Sequence, residues 1–447
     1  MDAQTPSPTP PPGCPAHGPG GRVPLYGPTF DADPQAYYAL LRQYGPTAPV
    51  ELAPGVEATL VTDHATALKV LRDTATYRKD ARRWRDLMTG RIPADNPAVP
   101  LLAHRPNCMF ADGGEHQRLR RAVTDSMAHV DFHRLTTVTG QATDYLIAQF
   151  SSRGSADLMA DYARQLPLLV FNELFGCPAE IGDRVVFGIS GMFDGVNAEE
   201  SAHVLHGAVA ELVALKRAYP GDDVASWMAQ HRAALSDEEM THQLSLLLGA
   251  SAEPLRNLIG NTLHLLLTRR REAYEDVRQI LNDTLWENPP VANFAPHYPV
   301  TDTVLAGQKL AAGDLVLIGF AAANTGLALM DAIRAGSSQG SLAWSAGPHA
   351  CPSKDVAQHV TIVALEKLLA RVPDIELAVP ANLLTWRPGP FHRALNQLPV
   401  RFEPVQPLRS SGPPVPPATP GQGAGAAPHR KQQEGGKWSQ FLAWLTG

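Results

Sequence analysis

The longest helical pattern in the chain runs from about Asp237 to Arg270, and it constrains the fold more than any other feature. It opens with Ser236-Asp-Glu-Glu239, a capping box in which the serine hydroxyl and the glutamate carboxylate each satisfy an amide the helix leaves open. It continues through Leu246, Leu247 and Leu248. At about 1.5 Å of rise per residue such a helix crosses a whole domain, so shorter helices are expected to pack on it as on a spine. Helical periodicity also marks 34–44, 63–73, 115–128, 138–152, 156–175, 200–217, 273–286 and 353–371. Strands are few: Glu57–Val61, Thr303–Leu305, Leu315–Ile318, and a late pair at Leu384–Trp386 and Leu398–Phe402. The expected fold class is mainly α with small β-sheets.

With 447 residues and 44% hydrophobic content the chain buries a large core, in one large domain or in two to three ordinary ones. Residues 1–22 are Pro-rich and expected to be disordered. The folded body spans 23–405, a Pro/Gly-rich linker covers 406–428, and 429–447 form an amphipathic tail. In that tail Trp438, Phe441, Leu442 and Leu445 share one helical face, downstream of His429, Arg430 and Lys431. So short a helix is not stable alone, and three seats are open to it: a protein partner, a membrane surface, or the body of its own chain.

A formal net charge of −6 gives no basic face for nucleic acid. No run approaches the roughly 20 apolar residues that span a bilayer, and the N-terminus lacks the basic-then-apolar order of an export signal. Cys14, Cys108, Cys177 and Cys351 are scattered, with neither a disulfide framework nor paired zinc spacing, as suits a reducing cytoplasm. The expected location is cytoplasmic, with membrane contact only through a partner. Cys14-Pro-Ala-His17 has the form of half a metal site, but it lies in a Pro/Gly tract with no second pair nearby.

Cys351 stands in Trp344-Ser-Ala-Gly-Pro-His-Ala-Cys351-Pro-Ser353, after a turn and before a well-patterned helix carrying Val356, Val360, Val363, Ala364 and Leu368. Backbone amides of such a turn, together with the positive end of the helix, favour a thiolate able to ligate iron. The plainer alternative is a small buried hydrophobe. The block resembles the proximal loop of the cytochrome P450 family, Phe-Gly-x-Gly-x-His/Arg-x-Cys-x-Gly. Gly347, His349 and Cys351 match; Trp344, Ser345 and Ser353 depart from it.

Three further segments carry the same resemblance. Gly114-Glu-His-Gln-Arg-Leu-Arg120 is similar to the family's His-x-x-x-Arg helix, whose His116 and Arg120 share a face; taken alone they read as a solvated helix surface. His297, in Phe294-Ala-Pro-His-Tyr-Pro-Val-Thr-Asp302, falls where the family usually has an arginine on a haem propionate, and is otherwise a loop histidine. Asn257-Leu-Ile-Gly-Asn261 aligns the oxygen-side helix. It puts Glu253 at the acid position and Pro254 where an alcohol is usual, although Glu253 alone reads as a surface or capping carboxylate. Proline supplies neither hydroxyl nor amide, and it frees a carbonyl near Ala250 through which water can reach Glu253.

Two departures are larger. The family's Glu-x-x-Arg is here Asp283-Thr-Leu-Trp286, as in some divergent actinobacterial-type members, with Arg334 as an expected partner of Asp283. After Ala321-Ala-Ala-Asn324 the expected Arg-Asp-Pro has become Thr325-Gly-Leu.

The resemblance, over about 23–405, implies a cytochrome P450-like fold. It further implies haem b (iron protoporphyrin IX) with Cys351 as axial ligand and His116, Arg120, His297, Gly347 and His349 around it. The implied activity is a monooxygenase inserting one oxygen atom into a small apolar substrate, with electrons from a ferredoxin and its ferredoxin reductase. Residues 183–218 are expected to cover the pocket and Pro388–Leu395 to form a wall. The alternatives are a peroxide-dependent oxidase, suggested by Pro254, and a non-catalytic haem-binding or scaffold protein of a signalling assembly, suggested by the altered motifs and the tail.

Overall fold

The computed structural model describes residues 21–96, 98–194, 198–269, 276–325, 340–407 and 436–446. The expected disordered N-terminus, most of the linker, Cys14, His17, His429–Lys431 and Arg334 lie outside them.

Among the described residues the longer helices are α1 (Pro34–Arg42), α2 (His64–Arg72), α3 (Gly113–Met127), α4 (Phe132–Phe150), α5 (Leu166–Leu174), α6 (Ala179–Asp194), α7 (Ala198–Ala218), α8 (Asp237–Thr268), α9 (Val277–Glu287) and α10 (Lys354–Arg371) in the body, and α11 (Lys437–Thr446) in the tail. The spine is α8, and its predicted capping box is present: Ser236 Oγ accepts from Glu239 N while Glu239 accepts from Ser236 N. The helix runs through Pro254 without a break. Helices α5, α7, α9 and α10 pack on it, and α4 lies along α10. They enclose the larger apolar core, including Leu119, Val123, Leu244, Leu258 and Leu365.

Strands β1 (Val23–Pro24), β2 (Thr47–Ala53), β3 (Val56–Val61), β4 (Tyr77–Arg78), β6 (Asn293–Pro299) and β9 (Val316–Gly319) form one sheet in the order β1-β2-β3-β9-β6-β4. Beneath it a second core gathers Tyr38, Trp84, Phe110 and Tyr298. Strands β5 (Ser155–Asp157), β10 (Glu376–Leu377) and β11 (Pro399–Arg401) form a smaller sheet, and β7 (Thr303–Leu305) with β8 (Gln308–Leu310) a hairpin.

The segment expected as one helix over 156–175 is instead β5, a π turn at Met159–Ala163, and α5. Asp157 explains the break: its carboxylate accepts from Met159 N and from Leu398 N, tying the chain to the smaller sheet. The late pair at 384–386 and 398–402 also resolves differently. The structure has β11 pairing with β5 and β10, and Trp386 bridging Leu395 at the base of a turn.

The expected partner of Asp283, Arg334, lies outside the described residues. Arg269 lies 3.7 Å from Asp283 and also pairs with Glu287. The end of α9 is bracketed by Asn324, whose amide donates to Leu285 O (3.2 Å) and Ser341 Oγ (3.2 Å) while its oxygen accepts from Leu342 N (2.9 Å). Trp286 is buried beside Gly340. Asn324 thus joins α9 to the start of the cysteine loop. Asn324→Ala strands these buried groups and is expected to cost about 2–3 kcal/mol in urea unfolding.

The tail realises one of its three seats: α11 packs on α4, α5 and α6 of its own chain.

Candidate functional site

The cysteine loop is built from two short 3₁₀ turns, Leu342–Trp344 and Gly347–His349, closed by Cys351 N donating to Trp344 O at 2.9 Å. Gly347 has φ +70°, and a Cβ there would meet Leu71 O at 2.3 Å, so only glycine lets the loop press against the end of α2. Ser345 sits at φ 61°, ψ −169°, a region nearly closed to side-chain-bearing residues. Glycine is the family's residue at that position, and the backbone shows why.

From the other side α3 holds the loop. Arg120 Nη2 donates to Ala350 O, and the His116 ring lies 3.9 Å from the His349 ring at 31°. The carboxylate of Asp112, just before α3, accepts from Lys79 N (3.0 and 3.1 Å) and Asp80 N (3.0 Å), which draws the segment after β4 into the same place. Strand β6 brings His297, whose Nδ1 donates to Ala295 O at 2.7 Å and leaves Nε2 for the site.

Lys79, His116, Arg120, His297, His349 and Cys351 are thereby gathered, and five of the six were expected from sequence. Lys79 was not. It is 4% exposed, and among the described residues no carboxylate lies within salt-bridge distance of its ammonium. Burial pulls its pKa down to about 7, against the pull of Asp112. Burial, then Lys79, depresses His297 well below the usual imidazole range; burial followed by Lys79 does the same to His349. His116 is lowered by burial and by Arg120, and its buried Nε2 has no hydrogen-bond partner.

A buried group of cationic and imidazole nitrogens with so little negative charge of its own is suited to an anion. The two carboxylates of haem fit it, and the sulfur beside it fits the iron. For the free thiol the balance differs from the sequence expectation. Burial raises the Cys351 pKa, and the lowering influences, the Ser353 amide and then Arg120, do not overcome it. Cys177 and Cys108 are core thiols raised by burial, Cys177 to about 12.

A second constellation lies on α8. Glu253 is 8% exposed, so it is neither a surface nor a capping carboxylate. One oxygen accepts from Arg387, the other from Arg256 at 3.3 Å. One turn on, Asn257 is buried with neither amide atom hydrogen-bonded to protein. The expected wall at Pro388–Leu395 is a turn closed by Arg387 N donating to Ala394 O (2.8 Å), and Asn261 Nδ2 ties it to α8 through Arg393 O (2.9 Å). Arg393 stacks 3.4 Å over Trp386. Among the described residues no helix is long and apolar enough to cross a membrane.

No family model matches the chain. Cytochrome P450 monooxygenase PikC of Streptomyces venezuelae is 31% identical to it over 84% of this chain and 92% of that protein. Vitamin D(3) 25-hydroxylase of Pseudonocardia autotrophica is 30% identical over 85% of this chain and 96% of that protein. The solved structure of CYP154C4 from Streptomyces sp. W2061 superposes with a TM-score of 0.75 at 28% identity, covering 85% of this chain and 97% of that one.

The strain at Ser345 predicts that Ser345→Gly raises stability by about 1 kcal/mol in thermal unfolding, relief of the backbone outweighing glycine's greater unfolded-state freedom.

Proposed function

The chain belongs to the cytochrome P450 family, and from that premise we propose that it inserts one oxygen atom from O2 into a small apolar substrate, at a haem b ligated by Cys351. The observation that carries the assignment of residues is the set of nitrogens converging beside that sulfur. Haem, when bound, supplies the activation of oxygen, which a thiolate ligand favours. The protein supplies the rest.

His116, Arg120, His297, His349 and Lys79 would hold the two haem carboxylates. Arg120 orients the loop through Ala350 O while presenting charge to the cofactor. The α6–α7 hairpin lies over α8 and covers the substrate, and the turn at Pro388–Leu395 forms its wall. With Pro254 in place of the alcohol, proton supply falls to ordered water near Glu253, and the unpaired Asn257 amide is a fitting group to hold it. Arg256 and Arg387 fix the carboxylate in place. Electrons come from a ferredoxin and its reductase in the cytoplasm.

Cys351→His tests the ligand: it is expected to keep haem but lose reductant-dependent oxidation of apolar probes. Oxidation at the wild-type rate by that variant would refute the assignment.

A pH dependence follows from the depressed groups. A haem carboxylate raises the pKa of both Lys79 and His297, so binding takes up protons and affinity falls as pH rises, from about 7 upward for Lys79. The groups facing them are His116, His349, Arg120 and Asp112. Haem transfer to apomyoglobin is expected to be about tenfold faster at pH 9 than at pH 7, with a flatter profile in Lys79→Arg, whose guanidinium stays charged throughout.

A further inference from the structure

Helix α11 sits in a groove among α4, α5 and α6 whose two sides are cut to each other. Gly182, in the first turns of α6, leaves room for the Trp438 ring: a Cβ at Gly182 would meet that ring at 2.2 Å. Reciprocally, Gly436 leaves room for the Asp183 carboxylate, which a Cβ there would meet at 2.3 Å. Asp183 then caps α11, accepting from Trp438 N (2.8 Å), Ser439 N (3.3 Å) and Ser439 Oγ. The Trp438 indole donates to Cys177 O at 3.1 Å, in the turn that joins α5 to α6. Phe441 and Trp444 pack on Tyr145 of α4 with ring centroids 5.3 and 5.5 Å apart. Trp438 and Phe441 are each 1% exposed.

We infer that this groove is a helix-docking site whose occupant is the chain's own C-terminal segment, and that the seated helix fixes the hinge at which the α6–α7 hairpin leaves the body. The bonds to Asp183 and Cys177 O fall on the two sides of that hinge, and Tyr145 anchors the strap to a helix outside the hairpin. An isolated helix of this length is unstable in water, so α11 forms only with its groove. The arrangement is independent of haem and of the oxidation chemistry, and its test needs neither.

Gly182→Ala gives the sharpest test because the two accounts differ in sign. Inside an ordinary helix the change is stabilising by helix propensity. If Trp438 fills that space, the new Cβ expels it: the full-length variant melts lower, and amide exchange over 179–185 speeds up by about tenfold or more. In a Trp438→Ala background the same change is expected to be neutral or stabilising, a non-additivity that marks direct contact. Ser439→Ala, which leaves the core intact, is expected to speed exchange in the same turn to a smaller degree. A synthetic peptide of residues 433–447 should restore protection to Trp438→Ala. Additive effects of the two changes, or unchanged exchange over 179–185 in every variant, would overturn the inference. So would a concentration-dependent dimer whose dissociation abolishes the protection, since the occupant would then come from a second copy.

Discussion

The bond from Arg120 to Ala350 O is the contact on which the rest of the site depends. It joins the helix that carries His116 and Arg120 to the loop that carries the Cys351 thiol. The close approach of Gly347 to Leu71 O holds the loop from the opposite side. Between these two contacts the sulfur has little freedom, while the His116–His349 stack and the buried Lys79 and His297 assemble a field that favours negative charge. Buried cations cost stability unless an anion joins them, so an anion bound here would stabilise the fold.

The departures from the family pattern have local physical substitutes. At the end of α9, Asn324 supplies neutral hydrogen bonds and Trp286 packing, beside the pairing of Arg269 with Asp283 and Glu287. Ser345 retains a conformation suited to glycine, and therefore carries strain directly beside the ligand loop. Pro254 interrupts hydrogen bonding on α8 without ending the helix. Around it Glu253 is fixed by Arg256 and Arg387, and Asn261 fastens the same helix to the turn that bears Arg387. Helix α8 and the late turn are thus tied together at both Glu253 and Asn261.

How much of this was legible depended on whether the signal was local. The capping box of α8 and the spacing of His116 and Arg120 are short-range patterns, and the structure follows them. Lys79 was not legible: its burial arises from the pull of Asp112 on two backbone amides more than thirty positions earlier. Helix α6 was not read as a helix, and the helix expected over 156–175 is broken because Asp157 bonds Leu398 N far along the chain. The tail's amphipathic face was legible, but its seat was not. Gly182 and Gly436 acquire meaning only once Trp438 and Asp183 are placed against them.

The most direct test of a thiolate ligand from Cys351 is the carbon monoxide difference spectrum of the haem-loaded, dithionite-reduced protein. The account predicts the strongly red-shifted Soret band of a thiolate-ligated ferrous haem, lost in Cys351→Ala. A haem-loaded protein whose band lies at the unshifted position of imidazole or neutral-thiol ligation, or a shifted band that survives Cys351→Ala, would contradict it.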